Sequence, residues 1–137
     1  MAESVRKVQY FYVTVADKPG EGASALQTLR DAGVNLLAFS GFPAGRRAQL
    51  DFVPEDAKAF RAAAKQAGWK VTGPKTGFLL AGDDRVGVAA EVLGKLAAAK
   101  INVTASDWVC GGAGRFGAIL WVKPGDVARA AMVLGAA

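Results

Sequence analysis

The sequence predicts an α+β fold of two similar modules. Each is a strand-helix-strand-strand-helix-strand unit with both helices on one face of an antiparallel sheet, the second lacking its last strand. Three observations lead there. Asp17, Gly20, Leu26, Leu29 and Asn35 recur in residue type as Asp84, Gly87, Leu93, Leu96 and Asn102, each 67 positions further on. A repeat of that length is one supersecondary unit copied. Pro54-Glu55-Asp56 recurs in outline as Pro124-Gly125-Asp126, 70 positions on, ahead of a second helix in each half. Between these marks the apolar residues switch from a period of two to a helical period and back. The predicted modules are 8–73 and 76–137.

The elements follow in order. Val8–Val15 reads as a central strand, with Val8, Tyr10, Tyr12 and Thr14 on one face and Gln9, Phe11, Val13 and Val15 on the other. Asp17-Lys18-Pro19-Gly20 is a turn. A helix over 21–32 turns Gly22, Leu26 and Leu29 inward and stops at Gly33. Val34–Phe39 is the second strand, Gly41–Gly45 a connecting loop, and Arg47–Val53 a third strand with one wetter side. Asp56 is placed to cap a second helix that runs to Ala67, with Phe60, Ala64 and Ala67 inward and Gly68 as its stop. Trp69–Thr72 is the fourth strand, and Gly73-Pro74 the joint between modules. In the second half the expected elements are a strand over 78–81, a helix over 86–99, strands over 101–109 and 115–122, and a last helix with Val127, Ala130 and Leu134 inward. Nothing after that helix supplies a fourth strand, so an open sheet edge is expected that must be tolerated, covered or paired.

Composition narrows the function. A chain of 137 residues, 52% hydrophobic and 21% charged, is that of a folded globular protein. No run of about 18 apolar residues is present, and the start Met1-Ala2-Glu3-Ser4-Val5-Arg6-Lys7 is not a secretory leader, so a cytoplasmic protein with no membrane span is expected. The net charge of +5 is spread along the chain, with Arg46-Arg47 its densest cluster, which argues against nucleic-acid binding. The absence of histidine removes the commonest general base and metal ligand. Cys110, the single cysteine, has no sequence neighbour suited to activate it. Gly111-Gly112-Ala113-Gly114 is a hairpin connection and not a phosphate loop, since neither Lys-Ser/Thr nor a helix follows it. The chain is therefore expected not to be an enzyme and to need no cofactor and no metal.

The loops that open the repeated helices are the better candidates. Gly20-Glu21-Gly22 offers backbone N–H groups at a helix N-terminus with little bulk above them, a setting that attracts a small anion such as a carboxylate. Asp17 beside it either receives a ligand's ammonium group or holds the turn by accepting a backbone N–H. Lys18 either meets the ligand or faces water. Asn35, early in the next strand, is expected near the Asp17 loop, where it pins the loop or donates to a ligand. Asp84, Arg85, Gly87 and Asn102 repeat the arrangement, with Val86 in place of Pro19 and Ala89 in place of Gly22. Arg85 is a candidate partner for a carboxylate.

Asp17-x-Pro19-Gly20, an amphipathic helix and then Ala32-Gly33-Val34-Asn35 resemble the ACT domain, a small amino-acid-sensing regulatory module of ferredoxin-like fold. Asp84-Arg85-Val86-Gly87 with Ala99-Lys100-Ile101-Asn102 resemble a second copy, and the likeness runs from about Val8 to Leu134. The resemblance implies a small effector, an amino acid or related carboxylate, held between the 17–22 loop of one module and the start of the second strand of its neighbour. The family's ligand-associated glycine then falls on Gly20 and Gly87, and its Asn or Asp on Asn35 and Asn102. It also implies a homodimer and a metabolic enzyme as the regulated partner. The alternative is an interaction or scaffold module that holds no ligand.

Overall fold

The structure is a computed structural model and describes residues 4–136. Met1, Ala2 and Glu3 of the charged start, and Ala137, lie outside the described residues. Strand β1 (Ser4–Ala16) leads into helix α1 (Glu21–Asp31), the hairpin β2 (Leu36–Ala44) and β3 (Arg47–Pro54), and helix α2 (Ala57–Gln66). The second half repeats the order with β4 (Thr72–Asp83), α3 (Val88–Ala98), β5 (Val103–Gly112), β6 (Arg115–Val122), a short 3₁₀ turn over 124–126 and α4 (Val127–Leu134). None of the helices among the described residues is long and apolar enough to cross a membrane.

The chain divides into two compact units, residues 9–75 and residues 76–137 together with the segment before 9. In the first module the strand order is β2-β3-β1-β4, and in the second it is β1-β4-β6-β5. β1 and β4 thus each serve both modules. The open edge expected in the second module is closed by this chain itself: although no strand follows α4 among the described residues, Ser4–Val8 lies beside β4. Ser4 Oγ reaches the Ala81 carbonyl at a long 3.5 Å, and Val5 packs on that module's core.

Alternation sets the core of the first module. Phe11 and Val13 from β1, and Leu50 and Phe52 from β3, meet Ala25, Leu29, Phe60, Ala63 and Ala64 from the two helices. Phe11 stacks on Phe60 with centroids 4.8 Å apart and Phe52 on Trp69 at 5.8 Å, while Phe52 and Phe60 meet tilted at 5.4 Å. The second module repeats this with fewer rings: Phe78 and Leu80 from β4 and Phe116, Ala118 and Leu120 from β6 pack on Val92, Leu96 and Ala130. Gly77 lies beside Trp121, where a Cβ would stand 3.2 Å from the indole, so the glycine makes room for that ring.

Several expected boundaries move. β2 continues through Gly41–Ala44, which pairs with Arg47–Leu50, and the turn shrinks to Gly45-Arg46 because Gly45 takes a φ of +63°. Trp69 and Lys70 precede the fourth strand, which starts at Thr72 and runs unbroken past Gly73-Pro74, so the expected joint is strand interior. The expected wetter side of β3 is only partly wet, since Asp51 and Val53 are buried. Ala63 replaces Ala67 on the inner face of α2, and Ala67 is exposed. Asp56 caps α2 as expected, accepting from Lys58 N and Ala59 N at 3.0 and 3.2 Å.

Candidate functional site

The loop between β1 and α1 is built by backbone geometry. Lys18 N donates to Ala16 O at 3.1 Å, which closes the turn, and Gly20 takes a left-handed φ of 92°, a conformation glycine adopts without steric cost. Ser24 N then donates to Gly20 O at 2.9 Å and starts the helix. No side chain caps α1. The Glu21 amide reaches only Lys18 O, at 3.5 Å, and among the described residues nothing takes the Gly22 or Ala23 amides. A Cβ built on Gly22 would meet nothing within 4 Å. The first turn therefore presents unclaimed N–H groups and the positive end of the helix dipole to solvent. Asp17 and Lys18 are exposed, and the Asp17 carboxylate accepts no hydrogen bond among the described residues. The turn is held by backbone bonds and glycine, without help from Asp17.

A cavity of about 560 Å³ opens beside this first turn, entirely within residues 9–75. Its floor is β1 from Tyr12 to Val15, and its wall is the face of α1 carrying Glu21, Ser24, Ala25 and Thr28. Arg47 at the start of β3 and the Trp69–Lys70 stretch close the sides. Val13 and Ala25 are buried and apolar, while Glu21, Arg47 and Lys70 bring charge. One guanidinium nitrogen of Arg47 donates to the Thr14 carbonyl at 3.2 Å, which fixes the side chain on the rim. Thr28 Oγ1 donates to the Ser24 carbonyl at 3.1 Å, leaving its lone pairs to accept. Of this lining the sequence reading named only Glu21 as a site residue. The polar pair Ser24 and Thr28, four apart beside inward Ala25, was the signal on α1. Arg47 and Lys70 come from distant segments that only pairing brings together.

Asn35 does not join the 17–22 loop within its module. Ala16 pairs with Arg47, whereas Leu36 pairs with Pro54, seven residues along β3. At about 3.3 Å per residue the loop and Asn35 are roughly 23 Å apart. The expectation that neighbouring strands bring them together fails because β3 lies between β1 and β2 and α1 returns the chain to the far end of the sheet. Asn35 instead offers its carbonyl to Glu55 N at 2.9 Å. Asn102 is likewise remote from Asp84, since Asp83 pairs with Arg115 and Val103 with Val122.

The second helix-opening loop repeats the backbone. Gly87 has φ 85°, and Glu91 N donates to Gly87 O at 2.9 Å as Ser24 N does to Gly20 O. Its charges are already matched. Arg85 pairs with Glu91 at 3.0 Å and holds that carboxyl below its usual range. Asp84 accepts the Cys110 thiol, which pushes the thiol's pKa up and makes it a poor nucleophile. Arg115 is engaged by Asp83 at 2.8 Å. Val86, in the place of Pro19, stands fully exposed. Among the described residues no cluster of acidic or cysteine side chains could hold a metal ion.

No protein-family model matches the chain, and no curated protein is similar to it. Solved structures are. Protein BT0572 from Bacteroides thetaiotaomicron superposes with a TM-score of 0.80 at 18% identity, over 97% of this chain and 88% of that one. A structure of the aspartokinase alpha and beta subunits matches with a TM-score of 0.67 at 20% identity, covering 98% and 95%. The regulatory subunit of aspartate kinase from Thermus thermophilus, in a ligand-free form, matches with a TM-score of 0.66 at 18% identity, covering 98% and 93%. At these identities the likeness is one of fold: the chain has an α+β, ACT-like ferredoxin architecture.

Proposed function

We propose that the protein is a non-catalytic regulatory module that senses an amino acid or a related small carboxylate in the first module, at the opening of α1. One observation carries this reading: an uncapped helix N-terminus stands beside a 560 Å³ cavity that sets buried Val13 and Ala25 among the charged side chains of Glu21, Arg47 and Lys70. A concave site in which polar and charged side chains converge beside a small apolar surface suits a compact polar ligand. The resemblance to aspartate kinase regulatory subunits supports it. Ligand binding would stabilise one conformation of the 17–22 loop, and a partner, by resemblance a cytoplasmic metabolic enzyme, would respond to that shift. The site would sit in each copy of a homodimer.

Thermal unfolding against the twenty amino acids and a set of small organic acids tests this. A true effector at a hundredfold excess over its Kd adds about 2.7 kcal/mol and raises the midpoint by several degrees. Ser24→Trp, which fills the cavity from an exposed helix position, should abolish the shift while leaving the unliganded midpoint nearly unchanged. The second reading is an interaction module without a ligand. Phe39 and Phe42, exposed on edge strand β2, favour it. Silence from every acid, together with association that depends on these two phenylalanines, would establish that reading in its place.

A further inference from the structure

We infer that the cavity beside α1 selects an acidic amino acid, a compound with two carboxylates and one α-ammonium group. This rests on the reading above and adds the ligand class. The charged lining is Glu21, Arg47 and Lys70, two cations and one anion. An acidic amino acid carries the complementary set of two anions and one cation. A neutral amino acid leaves one cation of the lining unmatched, a basic one sets a second ammonium against Arg47 and Lys70, and a dicarboxylate without an amine faces Glu21 with like charge only.

The lining is also free to act. Among the described residues the side chains of Glu21 and Lys70 form no hydrogen bond or ion pair, and Arg47 commits one nitrogen to the Thr14 carbonyl. That bond orients the guanidinium, whose remaining N–H groups suit a carboxylate in two-point contact. Lys70 contributes a mobile point charge for the second carboxylate. Glu21, the first residue of α1, lines the cavity and offers a carboxylate for the ammonium. Thr28 adds a hydroxyl acceptor, and Val13, Ala25 and Trp69 provide apolar surface for the intervening methylenes. The volume exceeds that of one amino acid, which leaves room for bridging water.

Calorimetric titration of the full chain with L-aspartate and L-glutamate, beside asparagine, glutamine, lysine, succinate and glutarate, decides the matter. The acidic pair should bind at least tenfold more tightly than its amides and its deaminated analogues. Lys70→Met, at an exposed residue with no partner among the described residues, should cost at least tenfold for the acidic pair and remove most of its preference over the amides. Glu21→Gln should remove the preference over succinate and glutarate. Equal affinity for acid and amide, or full acid affinity in Lys70→Met, overturns the ligand class while the regulatory reading stands. No binding by any amino or organic acid overturns both.

Discussion

Phe60 offers the sharpest test of how the first module is held together. Its side chain is fully buried and lies 4.8 Å from the Phe11 ring, 5.4 Å from Phe52 and 6.3 Å from Trp69, measured between centroids. Replacement of a buried phenylalanine by alanine costs about 3–5 kcal/mol from lost transfer energy and the cavity left behind. Three ring contacts disappear at once, each worth roughly 0.5–1.5 kcal/mol beyond area, so Phe60→Ala belongs at the upper end. The module spans residues 9–75, for which about 0.05–0.15 kcal/mol per residue implies a total of only roughly 3–10 kcal/mol. The substitution should therefore remove much of the module's stability. Urea unfolding followed by Trp69 fluorescence, in a Trp108→Phe, Trp121→Phe background, reads this module alone. With a slope of about 2 kcal/mol per molar, the midpoint should fall by roughly 2 M. Phe60→Leu keeps most of the volume without the ring and separates cavity cost from ring contacts. A midpoint shift below about 0.5 M in Phe60→Ala would refute the picture of an aromatic hub.

Three further outcomes follow from single features. Asp56→Ala should lower stability by about 1 kcal/mol through loss of two bonds to the first turn of α2, with Asp56→Asn retaining most of it by the same urea titration. Gly73→Ala should destabilise by at least about 1–3 kcal/mol, because φ there is +127° and the new Cβ would stand 2.9 Å from the Tyr10 carbonyl; a neutral result would exclude this packing of β4 on β1. Alkylation of Cys110 by iodoacetamide should show a pH midpoint above that of an ordinary thiol, since the Asp84 carboxylate favours the protonated form. Asp84→Ala should move that midpoint down and speed the reaction at neutral pH. An unchanged profile would show that the two side chains do not interact.

Helices were legible because their signals are local. Gly20 and Gly87, found by repetition, start α1 and α3 with nearly the same φ, 92° and 85°. Gly33 and Gly68 end their helices with positive φ, as their positions after apolar runs imply. The strands were less legible. Extended backbone carries no stop signal at Gly73-Pro74, so β4 passes through a dipeptide that reads as punctuation. The placement of Ser4–Val8 beside β4 is a pairing across more than seventy residues, and no local pattern encodes it. The site divides the same way. Gly20, Glu21 and Gly22 were found from the turn, but the cavity draws Arg47 and Lys70 from separate segments, and their meeting depends on strand order. Asn35 was misplaced because repetition marks a residue as structurally recurrent without saying which end of the module it occupies.

That distinction decides which copy is the candidate sensor. The repeat preserves backbone: the Gly20 and Gly87 turns, and the bonds Val34 N to Leu29 O and Ile101 N to Leu96 O, both 2.9 Å, recur at the same spacing. It does not preserve the lining. Glu21 corresponds to Val88 and Ala25 to Val92, and both valines are buried in the second core. Ser24 corresponds to Glu91, which is tied to Arg85, and Arg115, which opens β6 as Arg47 opens β3, is tied to Asp83. A ligand entering the second copy would have to break two ion pairs and displace apolar side chains. In the first copy, among the described residues, Glu21 and Lys70 have no such partners, and Arg47 is paired with no acid. The two halves thus share a backbone turn but differ in what lies beside the helix, buried valines along α3 and an open, charged recess along α1.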